Sequence, residues 1–255
     1  MPPFLPLPAD GRVFTTEYLV RLGDATPGRR ARFDALARYL QDVAEDDATD
    51  AGWPTSIGWV LRRALVTVPR FPALGERLRL QTFCSASASR WAERTTTITG
   101  DAGGLVQARA TWVAMDITTG RPVHVGEFFE QVYGPSTGGH RASARLHLRP
   151  PPPEVIARAR PWPFRAGDFD VWHHVNNVIS WAAVEDELGS CDWLPANAEV
   201  EYNEAIAIGA CPSLASRCSQ TSMDLWLLEG DRVLTSARLN RFETGQGTAS
   251  DKERD

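Results

Sequence analysis

Between Gly167 and Asn177 the chain reads Gly-Asp-Phe-Asp-Val-Trp-His-His-Val-Asn-Asn and then turns apolar. Six polar side chains, Asp168, Asp170, His173, His174, Asn176 and Asn177, fall within eleven residues at the expected mouth of a helix. A carboxylate four residues before an imidazole can act as base or nucleophile beside an orienting, proton-donating partner. A helix start adds unpaired N–H groups and a partial positive charge, which favour a developing oxyanion. On this reading Asp170 and His174 are the catalytic pair, and the backbone N–H groups around Val175, Asn176 and Asn177 are candidate oxyanion donors. The alternative is purely structural. Asn176 or Asn177 would then cap the helix, and Asp170 would be a turn residue bonding its own backbone.

Two helices are expected to position these groups. Phe33, Leu36, Ala37, Leu40, Val43 and Ala44 recur at the spacing of one helical face. Val178, Ile179, Trp181, Ala182, Ala183 and Val184 make a second helix that is apolar nearly all round, so other structure must wrap it. Each helix precedes a strand-rich stretch with similar punctuation. Gly75 and Leu78, Leu80 and Thr82 open the first; Gly209 and Leu214 open the second. Leu105–Arg109 before Thr119-Gly120 is likewise echoed by Val233–Arg238 before Thr244-Gly245. Pairing Asp24 with Asp170 gives an offset of 146 residues, and pairing Ala108 with Ala237 gives 129. That drift needs only loop-sized insertions, so the chain reads as one unit written twice. A long antiparallel sheet curled around one helix satisfies both the strand alternation and the all-apolar helix.

Prolines 150 to 153 separate the copies as an extended, semi-rigid linker. The expected division is residues 11–140, a linker region 141–160, and 161–245, with the site in the last. Residues 1–10 and 246–255 read as loosely held tails.

Composition excludes several classes of function. A net charge of −5 over 255 residues gives no electrostatic case for nucleic acid. No apolar run reaches membrane-spanning length, and the proline-broken start lacks the positive region of a signal peptide. Cys84, Cys191, Cys211 and Cys218 lack paired spacing and read as reduced thiols of a cytoplasmic protein. The histidines show no metal-ligand spacing.

The order Asp170-Val171, His174-Val175-Asn176-Asn177 and then a helix resembles the motif of acyl-acyl carrier protein thioesterases of plant plastids and bacteria. So do Arg21-Leu22-Gly23-Asp24-Ala25-Thr26, Val68-Pro69-Arg70-Phe71-Pro72 with Gly75, Thr82 and Arg94, and Trp112–Asp116 ahead of Thr119–Pro122. The resemblance implies an α+β double hotdog, two tandem units each with an antiparallel sheet wrapped around a long apolar helix. It implies release of free fatty acid from acyl carrier protein, in fatty acid biosynthesis, at a single site in the second copy. The family's catalytic Asp and His fall on Asp170 and His174. Such hydrolysis needs no metal or redox cofactor. The implied partner is acyl carrier protein or a coenzyme A thioester, to which Arg62, Arg63, Arg158, Arg160 and Arg165 could offer positive charge; a homodimer stays open.

This chain departs from the pattern where Trp172 replaces a frequent Asn, and where Ala205 and Ile206 stand in place of a Glu-Cys pair after Glu201-Tyr202. Glu204 is one residue early, and a strand bulge would have to re-aim it to assist the site. Two other functions fit parts of the pattern. Gly167, Asp168, Asp170 and His173 have the spacing of an enoyl-thioester hydratase motif, with Asp170 and Val171 in place of its Asn and Pro. A non-catalytic acyl-thioester binding module is the other.

Overall fold

The computed structural model describes residues 4–241. The first half contains β1 (Phe14–Leu19), α1 (Phe33–Asp50), β2 (Ile57–Arg70), β3 (Arg77–Ser87), β4 (Trp91–Gly100) and β5 (Leu105–Asp116). After a short helix, α2 (Gly126–Val132), and the connecting segment come α3 (Pro153–Ile156), β6 (Arg160–Pro161) and α4 (Val178–Leu188). The chain then forms β7 (Pro195–Tyr202), β8 (Ser213–Cys218), β9 (Ser222–Glu229) and β10 (Arg232–Arg241).

All ten strands join one antiparallel sheet in the order β1-β3-β4-β5-β2-β7-β10-β9-β8-β6. Read outward from the centre, each half has the same order: the strand after its helix lies innermost and the strand before its helix lies at the edge. The halves meet where β2 pairs with β7, from Arg63 opposite Glu201 to Thr67 opposite Asn197. Because the inner strands are hydrogen-bonded on both sides, this junction has no exposed edge.

Helix α1 buries Phe33, Leu36, Ala37 and Val43, as its 3.6-residue spacing predicts. Helix α4 buries Trp181, Ala183, Val184 and Leu188. The two helices pack against one another, with Phe33 stacked on Trp181 at 5.8 Å between ring centroids. One hydrophobic core draws on both helices and on strands from both halves. Fully burying aliphatic and aromatic side chains of this kind contributes about 1.5–3 kcal/mol each. The far end of α1 is held by charge: Asp47, 1% exposed, receives Arg12 and Arg94, each at 2.6 Å. Arg94, one of the motif residues, is thus a partner for a buried carboxylate.

The connecting segment differs in detail from a uniform extended linker. Residues 142–152 have no regular structure, but Pro153 starts α3, where its missing N–H costs nothing. The segment is tied across the junction by the Glu201 carboxylate, which accepts the His147 and Leu148 N–H groups at 2.7 and 3.0 Å. Residues 4–10 lack regular structure, yet the Phe4 ring lies 5.3 Å from the Arg109 guanidinium. Residues 1–3 and 242–255, including Thr244-Gly245, fall outside the described residues. The four cysteines are free thiols. No helix of the described residues is long and apolar enough to cross a membrane.

Candidate active site

The loop before α4 is a compact turn held by its own backbone. His174 O accepts the Asp170 N–H at 2.8 Å, and Asp170 O accepts the His173 N–H at 3.0 Å. His173 adopts φ +61°, a left-handed conformation that costs a β-carbon residue energy and reverses the chain sharply. The loop is docked onto residues 206–207 by the His174–Ala207 bridge and by Val175 N–H to Ile206 O at 2.8 Å. This brings Asp170 and His174 into one turn. Asp170 is half-buried and His174 is exposed.

Asp170 Oδ1 accepts the N–H groups of Trp172 and His174 at 2.9 and 3.2 Å, leaving Oδ2 without a hydrogen bond among the described residues. Trp172 is 54% exposed and its indole reaches over Gly58, where a β-carbon would lie 3.8 Å from Cζ2. Asp168 acts locally, its Oδ2 accepting the Arg165 N–H at 2.7 Å to close the short 3-10 turn of residues 166–168.

The oxyanion assignment must be narrowed. The Val175 N–H is spent on Ile206 O, and the Asn176 N–H on Asp168 O at 2.8 Å. Asn176 Oδ1 accepts the Val178 N–H at 3.1 Å, so this carboxamide caps the first turn of α4. Among the described residues, the Asn177 N–H has no acceptor, which makes it the remaining donor of the three. Its carbonyl is held by the Tyr202 hydroxyl at 3.1 Å, and that hydroxyl accepts Trp181 Nε1–H at 2.9 Å. Burial pushes the Tyr202 phenol well above its usual range, so it stays protonated and can donate. The Glu-Tyr segment noted in the sequence therefore anchors the helix mouth through its tyrosine.

Glu204 lies elsewhere. Asn203 and Glu204 both donate their N–H to Leu234 O, an irregularity at the end of β7, yet the Glu204 side chain stays exposed and bonds Arg232. That guanidinium holds its carboxyl below the usual range. The basic residues divide likewise. Arg62 donates to the carbonyls of Tyr202 and Asn203, Arg63 faces Glu199, and Arg160 pairs with Glu187, while Arg158 and Arg165 are exposed.

The first half repeats the loop with different chemistry. Asp24 Oδ2 accepts the Arg21 N–H, Arg29 has φ +66°, and Ala31 N–H bonds Pro72 O. These match Asp168, His173 and Val175 at one constant offset of 144 residues (168 minus 24, 173 minus 29, 175 minus 31). The counterpart of Asp24 is therefore Asp168, and the sequence pairing of Asp24 with Asp170 is two residues out of register. Asp170 corresponds to Thr26, and His174 to Arg30.

A narrow cavity opens beside the loop. It is lined by Asn177, Val178 and Trp181 of the α4 end, by Ala37, Leu40 and Gln41 of α1, and by Leu61, Ala64 and Trp112 of the sheet, among others. Its walls are almost wholly apolar.

Residues 11–133 match the family model of the acyl-ACP thioesterase N-terminal domain. The chain is similar to acyl-ACP thioesterases in sequence and in fold. An oleoyl-acyl carrier protein thioesterase of Arabidopsis thaliana chloroplasts is 24% identical over 202 residues, which cover 69% of this chain and 55% of that one. An uncharacterized protein of Mycobacterium tuberculosis is 27% identical over 92% of this chain and 94% of its own length. The solved 12:0-ACP thioesterase of Umbellularia californica superposes with a TM-score of 0.75 at 19% identity, covering 89% of this chain and 96% of that one. That likeness shows a hotdog fold. Taken together, the relationships to acyl-ACP thioesterases support a thioester hydrolase.

Proposed function

We propose that the chain hydrolyses fatty acyl thioesters at the turn of residues 170–177, with acyl-acyl carrier protein or acyl-coenzyme A as substrate and fatty acid biosynthesis as its setting. The observation that carries this is the contrast at equivalent positions: one loop geometry occurs twice, and the copy beside the cavity bears Asp170 and His174 where the other bears Thr26 and Arg30. Asp170 Oδ2 activates water or attacks the thioester carbon itself; in either case water ends in the carboxylic acid. His174 gives a proton to the departing thiolate and regains one from the water consumed in the reaction. The Asn177 N–H faces the developing oxyanion at a helix start. The apolar cavity, about 20 Å³ as it stands, marks where the walls of α1 and α4 would part to receive the acyl chain. Within this reading the architecture is a double hotdog with units 11–140 and 161–245 joined through 141–160, which fits the repeated strand order.

A second reading has its own observation. Asp170 Oδ1 already takes two backbone N–H groups, as a turn aspartate would, and the chain would then only bind acyl thioesters. Hydrolysis of a panel of acyl chain lengths on coenzyme A and on acyl carrier protein separates the two. Release of free thiol that disappears in Asp170→Asn supports the hydrolase; tight binding without turnover of any member supports the binding module.

A further inference from the structure

The repeat makes a demand on α1. In the first loop Arg30 forms an ion pair at 2.6 Å with Glu185 of α4, whose carboxylate also accepts the Phe33 N–H at 3.0 Å. Glu185 thus reaches across from the other half's helix to the start of α1. The offset of 144 carries Arg30 to His174 and Phe33 to Asn177, and it runs back from Glu185 to Gln41 of α1 (185 minus 144). By that equivalence the position opposite His174 and the Asn177 N–H falls to Gln41, a neutral carboxamide.

Two observations agree with this placement. Gln41 lines the same cavity as Asn177 and Val178. Among the described residues its Oε1 is buried without a hydrogen-bond partner, whereas the equivalent Glu185 carboxylate is fully used. An orphaned buried acceptor costs about 1–3 kcal/mol, which a molecule donating a hydrogen bond to it would offset.

We propose that Gln41 belongs to the active site, its amide oxygen accepting a hydrogen bond from the water that attacks the thioester. The inference rests on the hydrolase reading above. The water donates a hydrogen bond to Gln41 Oε1 and gives its other proton to Asp170 as its oxygen adds to the carbonyl carbon; the C–S bond then breaks, the thiolate takes a proton from His174, and the proton held by Asp170 passes to His174 to restore both groups. An amide suits this place better than a carboxylate, because a second negative charge beside Asp170 would oppose the oxyanion. The first half can use Glu185 there because Arg30 neutralises it.

The test uses the full-length chain and the thioester from the hydrolysis panel that wild type turns over fastest. Gln41→Leu removes the acceptor at similar volume. Expected is a fall in kcat of roughly ten- to a hundredfold, the scale of losing a positioned polar group, with KM within about threefold. Its Tm should equal or exceed that of wild type, because an unpaired buried polar atom has gone. Gln41→Glu restores an acceptor oxygen but adds the opposing charge, so turnover should lie above that of Gln41→Leu and below that of wild type, with an altered pH profile, which a merely structural residue would not produce. Wild-type kcat in Gln41→Leu overturns the inference while leaving the hydrolase reading intact. A loss of kcat that tracks a lowered Tm in both variants also overturns it. Absence of turnover in wild type across the panel overturns the hydrolase reading, and this inference with it.

Discussion

The loops at residues 24–33 and 168–177 have one backbone and two occupations. Both begin with a 3-10 turn closed by an aspartate, pass through a left-handed residue, and feed a helix that packs on the other. In the first, Asp24 is buried and bonded to Arg38 and to Tyr39 at 2.6 Å, while Arg30 is consumed by Glu185. Burial and the Asp24 hydrogen bond push the Tyr39 phenol well above its usual range, so it remains a donor there. In the second, the corresponding arginine is an exposed histidine, the threonine is an aspartate, and the residue across the helix pair is Gln41, whose amide oxygen has no partner among the described residues. A duplicated turn can therefore be a structural clamp in one copy and leave polar groups uncommitted beside a cavity in the other. Charge pairing, and not backbone shape, makes the difference.

The largest expected effect tests that division directly. Asp170→Asn keeps size and the backbone contacts of the turn but removes the carboxylate; turnover should fall about a hundredfold or more. Thr26→Val at the equivalent position should leave kcat within about twofold of wild type, a margin set by the usual small effect of substitutions away from strained or buried polar sites. Comparable losses in both, measured as kcat on variants of matched Tm, would dissolve the contrast between the loops.

Next in size is the clamp. Glu185→Ala leaves Arg30 and the Phe33 N–H without their acceptor in a site where both charged side chains are largely shielded. Destabilisation of roughly 3 kcal/mol is expected from breaking such a pair. Urea unfolding checks it, and a change below experimental error would show that the ion pair does not hold the halves together.

Asp24→Asn should weaken the first loop by roughly 1–3 kcal/mol, since Tyr39, Arg38 and the Arg21 N–H lose a charged acceptor. The turnover of the folded fraction should remain far above that of Asp170→Asn. Equal loss of kcat in well-folded Asp24→Asn and Asp170→Asn would count against a single site. The smallest effect belongs to Glu204→Gln. Its side chain bonds Arg232 at the surface, so turnover should stay within about twofold of wild type; a tenfold drop in kcat would show that the carboxylate swings to the loop during the reaction.

Much of this is legible in the chain. The period of α1, the apolar run that opens α4, the glycine positions before β3 and β8 and the dense polar turn all depend on neighbours within a few residues, which spacing records. Gly75 and Gly209 show φ +87° and +90°, so their matching places in the repeat have one cause: a backbone conformation that glycine adopts without strain. The register of the repeat is less legible. Asp24 and Asp170 look alike as letters, but hydrogen bonding pairs Asp24 with Asp168, because the role of an aspartate is set by which N–H groups face it. The oxyanion donors escape the sequence for the same reason. A helix start offers free N–H groups in general, yet those of Val175 and Asn176 are taken by Ile206 and Asp168 through loop docking.

By itself, then, the sequence pointed to a helix-then-strands pattern that recurs, to the position of the polar turn and to the candidacy of Asp170 and His174. Tertiary structure decided which groups meet that turn from elsewhere. Tyr202 reaches Asn177 from β7, Glu185 reaches Arg30 from 155 residues away, and Gln41 faces the cavity from α1. The physical reason is that local periodicity fixes which side of an element a side chain occupies. Which element lies opposite depends on strand order and helix packing, and these are settled by burying one core shared by both halves.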